Sequence, residues 1–147
     1  MVEQDLEDLF RRRRADMVAF ARMLTGSTAV AEELVQEAFL RMQGHGGIEQ
    51  PDAYLRTTVA NLARNHFRRL GVERKVAAAG RLVLEDPELD EMWALVCRLP
   101  LRQRTVLALR FYEDLTEHQI AETLGWPTGT VKSTLHRALG ELRRRMS

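Results

Sequence analysis

The sequence predicts an all-α fold: two small helical domains joined by a linker, the C-terminal one a helix-turn-helix. Three observations predict it. Apolar residues recur at helical spacing nearly everywhere, and no strand-like alternation persists. The stretch 71–87, which begins GVERKVAAAG and ends at Glu85-Asp86-Pro87, breaks that periodicity. A capped helix, a short turn and a second amphipathic helix then follow one another within 115–146. The chain has 147 residues, 45% of them apolar. That is room for one ordinary domain or two small helical ones, with enough apolar material for a packed core.

The elements follow in order. A first helix is expected over about 3–24, closing at Gly26. A second covers about 28–42, with Val30, Ala31, Leu34, Val35, Ala38, Phe39 and Met42 on one face. The run GHGG at 44–47 ends it. A third opens near Pro51, a favourable first helical position, and runs to about Leu70. Its buried side is Leu55, Val59, Leu62 and Leu70. This gives a first domain over 1–70, a linker over 71–87 with room for one short helix, and a second domain over 88–147. The second domain reads as helices at about 88–98, 102–112, 116–124 and 128–145, with Pro100 separating the first pair. Domains this small have modest cores and lean on partners.

In the helix pair, Thr116 and Gln119 have capping-box spacing, and Leu115 with Ile120 forms the hydrophobic staple. Gly125 suits a left-handed helix stop, Trp126-Pro127 turns the chain, and Thr128 is placed to cap the next helix. Projected at about 100° per residue, Val131, Leu135, Ala138, Leu139, Leu142 and Met146 share one face. Gly129, Lys132, Ser133, His136, Arg137 and Gly140 share the other. A basic, polar face with small residues suits entry into the DNA major groove. The alternative is an ordinary helical hairpin with a solvated face. The run Arg143–Arg145 reads equally well as phosphate contacts or as cations at a helix C-terminus.

Net charge is only +1, but the charges are sorted. Residues 1–10 carry acids and no base, and residues 85–91 carry five acids and no base. Residues 56–75 carry six Lys or Arg against Glu73 alone, and the last sixteen residues are again basic. Two basic blocks suggest two surfaces for a polyanion, although solvated helix faces are the commoner meaning of such blocks. On the third helix Thr57, Asn61, Arg64, Asn65 and Arg68 lie along one face. Asparagine is a poor helix-interior residue, and its amide can read a base edge. From composition alone, a solvated surface remains the preferred reading of that face.

Catalytic and membrane functions find no support. His45, His66, His118 and His136 are dispersed and lack metal-ligand spacing. There is no P-loop and no G-x-S-x-G element. Cys97, the single cysteine, sits in an apolar segment as a core thiol. Trp93 and Trp126 read as packing residues. The chain is therefore expected not to be an enzyme and to need no cofactor and no metal. No run of roughly 18 apolar residues is present, so membrane insertion is not expected. Nor does the N-terminus read as a secretory signal, which makes the cytoplasm the expected location.

At this point nearly the whole chain resembles a known family, the short two-domain bacterial RNA polymerase sigma factors of the extracytoplasmic-function (ECF) type. AEELVQEAFLRM (31–42) resembles region 2.2, PDAYLRTTVANLARNHFRR (51–69) resembles regions 2.3 and 2.4, and RLPLRQRTVLALRFYEDLTEHQIAETLGWPTGTVKSTLHRALGELRRRM (98–146) resembles region 4. The resemblance implies a subunit that associates with core RNA polymerase and directs promoter-specific, DNA-templated transcription initiation of a stress- or signal-responsive regulon. It places Asn61, Arg64, Asn65 and Arg68 at the −10 element, around a base flipped from the non-template strand. Extruding a base costs a few kcal/mol and exposes its edge to a pocket. It places Thr128, Thr130, Lys132, Ser133, His136 and Arg137 at the −35 element. Glu33, Leu34, Gln36 and Glu37 fall in the helix that docks on the β′ clamp helices, and the C-terminal domain would meet the β flap. An anti-sigma factor is a further partner such a family implies. Tyr54 stands where the family usually has Trp, a mild change that keeps an aromatic, and Asn65 stands where the family often has Asp, a change that bears on promoter preference. Two rivals remain: a stand-alone helix-turn-helix regulator, which needs a dimer interface and paired half-sites, and an adaptor that does not bind DNA. The first leaves the motifs at 31–42 and 51–69 unexplained; the second, which mimics such a factor, would keep its activity with Lys132→Ala and Arg137→Ala.

Overall fold

The computed structural model describes residues 3–73 and 91–146. Within them the chain forms α1 (Glu3–Thr25), α2 (Thr28–Gln43), α3 (Pro51–Glu73), α4 (Glu91–Val96), α5 (Leu101–Leu107), a π-helical turn (Ala108–Tyr112), α6 (Glu117–Leu124) and α7 (Thr128–Met146). No strand occurs among the described residues.

Local chemistry sets the boundaries. Gly26 takes φ +76°, a left-handed turn that ends α1, and its N–H donates to the Arg22 carbonyl at 2.7 Å. Ser27 then caps α2, its Oγ accepting from the Val30 N–H at 3.2 Å. Every residue placed on the buried face of α2 is buried there except Val30, which is half-buried against the core. The third helix runs three residues further than expected, to Glu73, so the segment 71–87 is helical at its start; from residue 74 to 87 it lies outside the described residues. The same holds for residues 88–90 of the expected fourth helix. Leu70 is only half-buried rather than part of the core. The expected helix over 102–112 is α5 continued by the π-helical turn.

The capping box forms in full. Thr116 Oγ1 accepts from the Gln119 N–H at 3.1 Å, and Gln119 Oε1 accepts from the Thr116 N–H at 2.9 Å. Gly125 adopts φ +70° and closes α6. Replacing both Thr116 and Gln119 by alanine strands two N–H groups at the start of α6, so a loss of about 1–2 kcal/mol is expected, read as a lowered denaturation midpoint. One expectation shifts here. Thr128 is the first residue of α7 rather than its cap, because the Pro127 carbonyl already accepts from the N–H groups of Thr130 and Val131 at 3.0 and 3.2 Å. On α7, Val131, Leu135, Ala138 and Leu142 are buried and Leu139 is half-buried. Met146 is exposed, since the last turn of α7 runs past the core.

The helices pack as two groups that meet. Helices α1, α2 and α3 pack on one another, and α5, α6, α7 and the π-helical turn do the same. The sequence reading gives each group its own modest core. Instead, the buried apolar residues form one continuous cluster, from Leu9 in α1 to Leu142 in α7. α1 packs on α5 and on the π-helical turn, and α3 packs on α6. Each group alone would leave an apolar side in water, and merging the two removes it. Cys97 sits at this junction as expected of a core thiol. It is 1% exposed, and its Sγ lies 3.8 Å from the Met23 carbonyl oxygen of α1.

Arg104 is the largest fully buried side chain. Its Nη1 donates to the Cys97 carbonyl at 2.9 Å, and its guanidinium lies 5.3 Å from the centre of the Phe67 ring of α3. Burial pushes its pKa down to about 10, so it remains cationic at neutral pH. A second buried charge, Glu113, lies just after the π-helical turn with its side chain only 7% exposed. Its Oε1 is 3.6 Å from Arg13 Nη2 of α1 and 3.7 Å from Arg56 Nη1 of α3. Arg13 also pairs with Asp52 at 2.9 Å and Asp16 at 3.0 Å.

Candidate nucleic-acid interface

The first face is on α3. Pro51 starts the helix, and Leu55, Val59, Leu62 and Ala63 anchor it in the core. That register turns Arg64, Asn65 and Arg68 outward, all exposed, with Asn61 half-buried one turn earlier. All four expected residues therefore share one side. Asn61 also lines a hollow of about 350 Å³ with Arg41, Gly44, His45, Tyr54 and Thr58. The His45 and Tyr54 rings meet edge to face at 5.6 Å. The hollow offers an amide, a hydroxyl, an imidazole, a guanidinium and an aromatic face, a set able to stack and edge-read a planar base. Sequence reasoning assigned Asn61 but missed Arg41, His45 and Thr58. The GHGG break was visible. What it delivers, a histidine folded back beside α3, depends on Gly47 at φ +72° and on a turn bond from the His45 N–H to the Met42 carbonyl.

The second face is on α7. With Val131, Leu135, Ala138 and Leu142 in the core, Lys132, Ser133, His136 and Arg137 all point to solvent, Thr128 is exposed and Thr130 half-buried. A Cβ placed on Gly129 or Gly140 would meet nothing, so this side has room for close approach. Ser133 Oγ donates back to the Thr130 carbonyl at 3.2 Å, which leaves its lone pairs facing outward as acceptors. Lys132 and Arg137 offer donors only. Helix α6, started by its capping box, packs against α7, and Arg102 stacks over the Trp126 ring of the turn at 4.2 Å. Of the trailing arginines, Arg144 and Arg145 pair with Glu141 at 2.6 and 3.5 Å. The Arg144 guanidinium holds the Glu141 carboxyl below the usual range.

A third surface lies between α1 and α2, a groove of about 750 Å³ that Glu33 and Gln36 line from α2. Phe10 and Leu40 stay exposed at its edge, 37% and 55%, with Phe10 edge-on to Phe39 at 4.9 Å. Glu33 and Gln36 face solvent. Glu37 pairs with Arg41 at 3.1 Å. Leu34 is buried and forms part of the core beneath, so its contribution is to hold the helix rather than to touch a partner. Among the described residues no helix is long and apolar enough to cross a membrane.

Two family models match the chain. The model of sigma-70 region 2 matches residues 9–72, and that of sigma-70 region 4 matches residues 89–142. The RNA polymerase sigma-E factor of Streptomyces avermitilis is 32% identical, over 95% of this chain and 83% of that protein. The ECF RNA polymerase sigma factor EcfG of Rhodopseudomonas palustris is 32% identical over 84% of this chain and 75% of that protein. Among solved structures, the sigma factor RpoE of Bartonella quintana, crystallised in complex with the anti-sigma factor NepR, shares the fold. Its TM-score is 0.75 at 22% identity, covering 97% of this chain and 96% of that one.

Proposed function

The chain belongs to the sigma-70 family, in the ECF group of bacterial RNA polymerase sigma factors, and on that premise we propose how its surfaces divide the work. As a sigma factor it associates with core RNA polymerase and directs promoter-specific transcription initiation; catalysis belongs to the polymerase. Such factors act in the cytoplasm. The α3 face reads the −10 element. Asn61 and Asn65 address a base held in the hollow beside His45 and Tyr54, and Arg64 and Arg68 hold flanking phosphates. The α7 face reads the −35 element in the major groove through Lys132, Ser133, His136 and Arg137, with Thr128 and Thr130 at the helix start positioned for phosphates. The groove between α1 and α2, with Glu33 and Gln36 on its wall, takes the β′ clamp helices, and the region-4 half meets the β flap. Accordingly, residues 1–70 and 88–147 act as the two working domains.

The observation that carries this division is the solvent-facing strip of α7, basic and polar on the side opposite a fully buried one. An anti-sigma factor is a further partner, as for the Bartonella quintana relative solved with NepR. The test is run-off transcription with purified bacterial core polymerase on genomic promoter fragments, with and without the protein. Discrete transcripts that depend on the protein and vanish with Asn61→Ala support the reading. A footprint by the protein alone on paired half-sites, with no transcripts, overturns it in favour of a stand-alone regulator.

A further inference from the structure

We propose that Arg41 selects the base held in the hollow beside Asn61, and that it favours a base with two adjacent hydrogen-bond acceptors: guanine through O6 and N7, or cytosine through O2 and N3. The inference rests on the assignment of the α3 face to the −10 element. The hollow, of about 350 Å³, has room for one nucleobase. The polar side chains that line it differ in their power to choose. The Thr58 and Tyr54 hydroxyls rotate, the Asn61 amide can turn over, and the His45 imidazole exchanges tautomers. Each of these adapts to a donor or to an acceptor. Arg41 is the lining side chain of fixed polarity, because a guanidinium donates and never accepts.

Glu37 makes that polarity usable. Arg41 lies in the last turn of α2, and its Nε donates to Glu37 Oε1 at 3.1 Å, one turn back on the same helix. The bond ties down one edge of the guanidinium and leaves the two Nη groups as a fork, with no partner among the described residues. Two parallel donors match two adjacent acceptors. Guanine offers O6 beside N7, and an extruded cytosine offers O2 beside N3. Adenine sets its amino group next to both N1 and N7, and thymine sets N3–H between O2 and O4, so each meets the fork with a donor or with one acceptor alone. Glu37 also offsets the charge of Arg41, which weakens its pull toward phosphate. Arg64 and Arg68 differ: they are exposed on α3 with no acid paired to them among the described residues, as suits phosphate contacts. Glu37 is therefore a positioning residue for the hollow.

The test uses the holoenzyme, this chain on bacterial core polymerase, in run-off transcription across all single-base variants of the −10 element. One position should prefer guanine or cytosine over adenine and thymine by about 10- to 100-fold. Arg41 is exposed, so its variants should fold as the wild type does. Arg41→Ala should cut the preference to about threefold or less at that position alone, and Arg41→Lys, which keeps the charge but loses the fork, should fall between. Glu37→Ala should weaken the same preference. Glu37→Gln, whose Oε1 still accepts from the Arg41 Nε, should restore it. Each preference is a ratio within one holoenzyme, so a change in polymerase affinity cancels. In the non-template strand, 7-deazaguanine removes the N7 acceptor and 3-deazacytosine removes the N3 acceptor; the analogue that abolishes the preference identifies the base. If Arg41→Ala slows every −10 variant equally and lowers the salt slope, Arg41 holds a phosphate and the inference is overturned. A base preference that Arg41→Ala leaves untouched at every position overturns it as well, while the −10 assignment stands. A wild-type holoenzyme indifferent to the −10 sequence removes α3 from promoter reading and takes the inference with it.

Discussion

Lys132→Ala combined with Arg137→Ala is expected to reduce transcription from promoters that carry a −35 element by about 100-fold. A well-made base contact contributes about 1–3 kcal/mol of discrimination, and two lost together reach that range. Both side chains are exposed on α7, so thermal stability should change little. The two residues are separable by how they fail. A side chain that reads a base edge relaxes sequence preference at one position when removed. One that holds a phosphate weakens binding evenly and lowers the salt slope by about one. Run-off assays across single-base variants of the −35 element, repeated at two salt concentrations, distinguish these. An unchanged rate at every promoter would remove α7 from DNA recognition.

The second large effect is structural. Arg104→Ala is expected to lower stability by about 3–5 kcal/mol, through the cavity it leaves and the Cys97 carbonyl it orphans. Arg104→Met should recover part of that loss. It refills the volume and keeps contact with the Phe67 ring but cannot donate the hydrogen bond. Chemical denaturation midpoints of the three proteins give the comparison. If alanine and methionine are equally damaging, the hydrogen bond to Cys97 carries the effect; if methionine matches wild type, packing does.

These two predictions show what the sequence discloses. The face of α7 was legible because it is a local property: period, capping and turn chemistry fix which side chains share a side before any tertiary contact forms. The same holds for Gly26, Pro51 and Gly125 as boundaries, and for Asn61, Asn65, Arg64 and Arg68 as one strip. Arg104 and Glu113 were illegible for the converse reason. A charged residue in an amphipathic helix reads as solvent-facing, and nothing nearby in sequence announces that its partners are Phe67, Arg13 or Arg56 on distant helices. The single continuous core escaped notice likewise, since periodicity identifies an apolar face without naming what covers it. Met146 failed in the opposite direction. Its register on α7 is right, but the core ends before the helix does. The hollow beside Asn61 was half legible, through the glycines that shape its loop but not through the imidazole they bring in.

The shared core has a consequence for protein engineering. Sigma factors invite cut-and-paste design, in which one half of a factor is fused to the complementary half of a relative to create a new promoter preference. Here the cut would pass through packed material. A chimera that joins residues 1–73 of this chain to the corresponding second half of a relative near 32% identity would bring together surfaces that were never selected as a pair. It would keep both helices proposed to read promoter DNA yet expose apolar area at the seam, inviting aggregation before any question of specificity arises. Portable halves would have to carry their seam with them. Phe67 should travel with Arg104, and Arg13 and Arg56 with Glu113, so that the smallest exchangeable unit of this protein is larger than either of its DNA-reading parts.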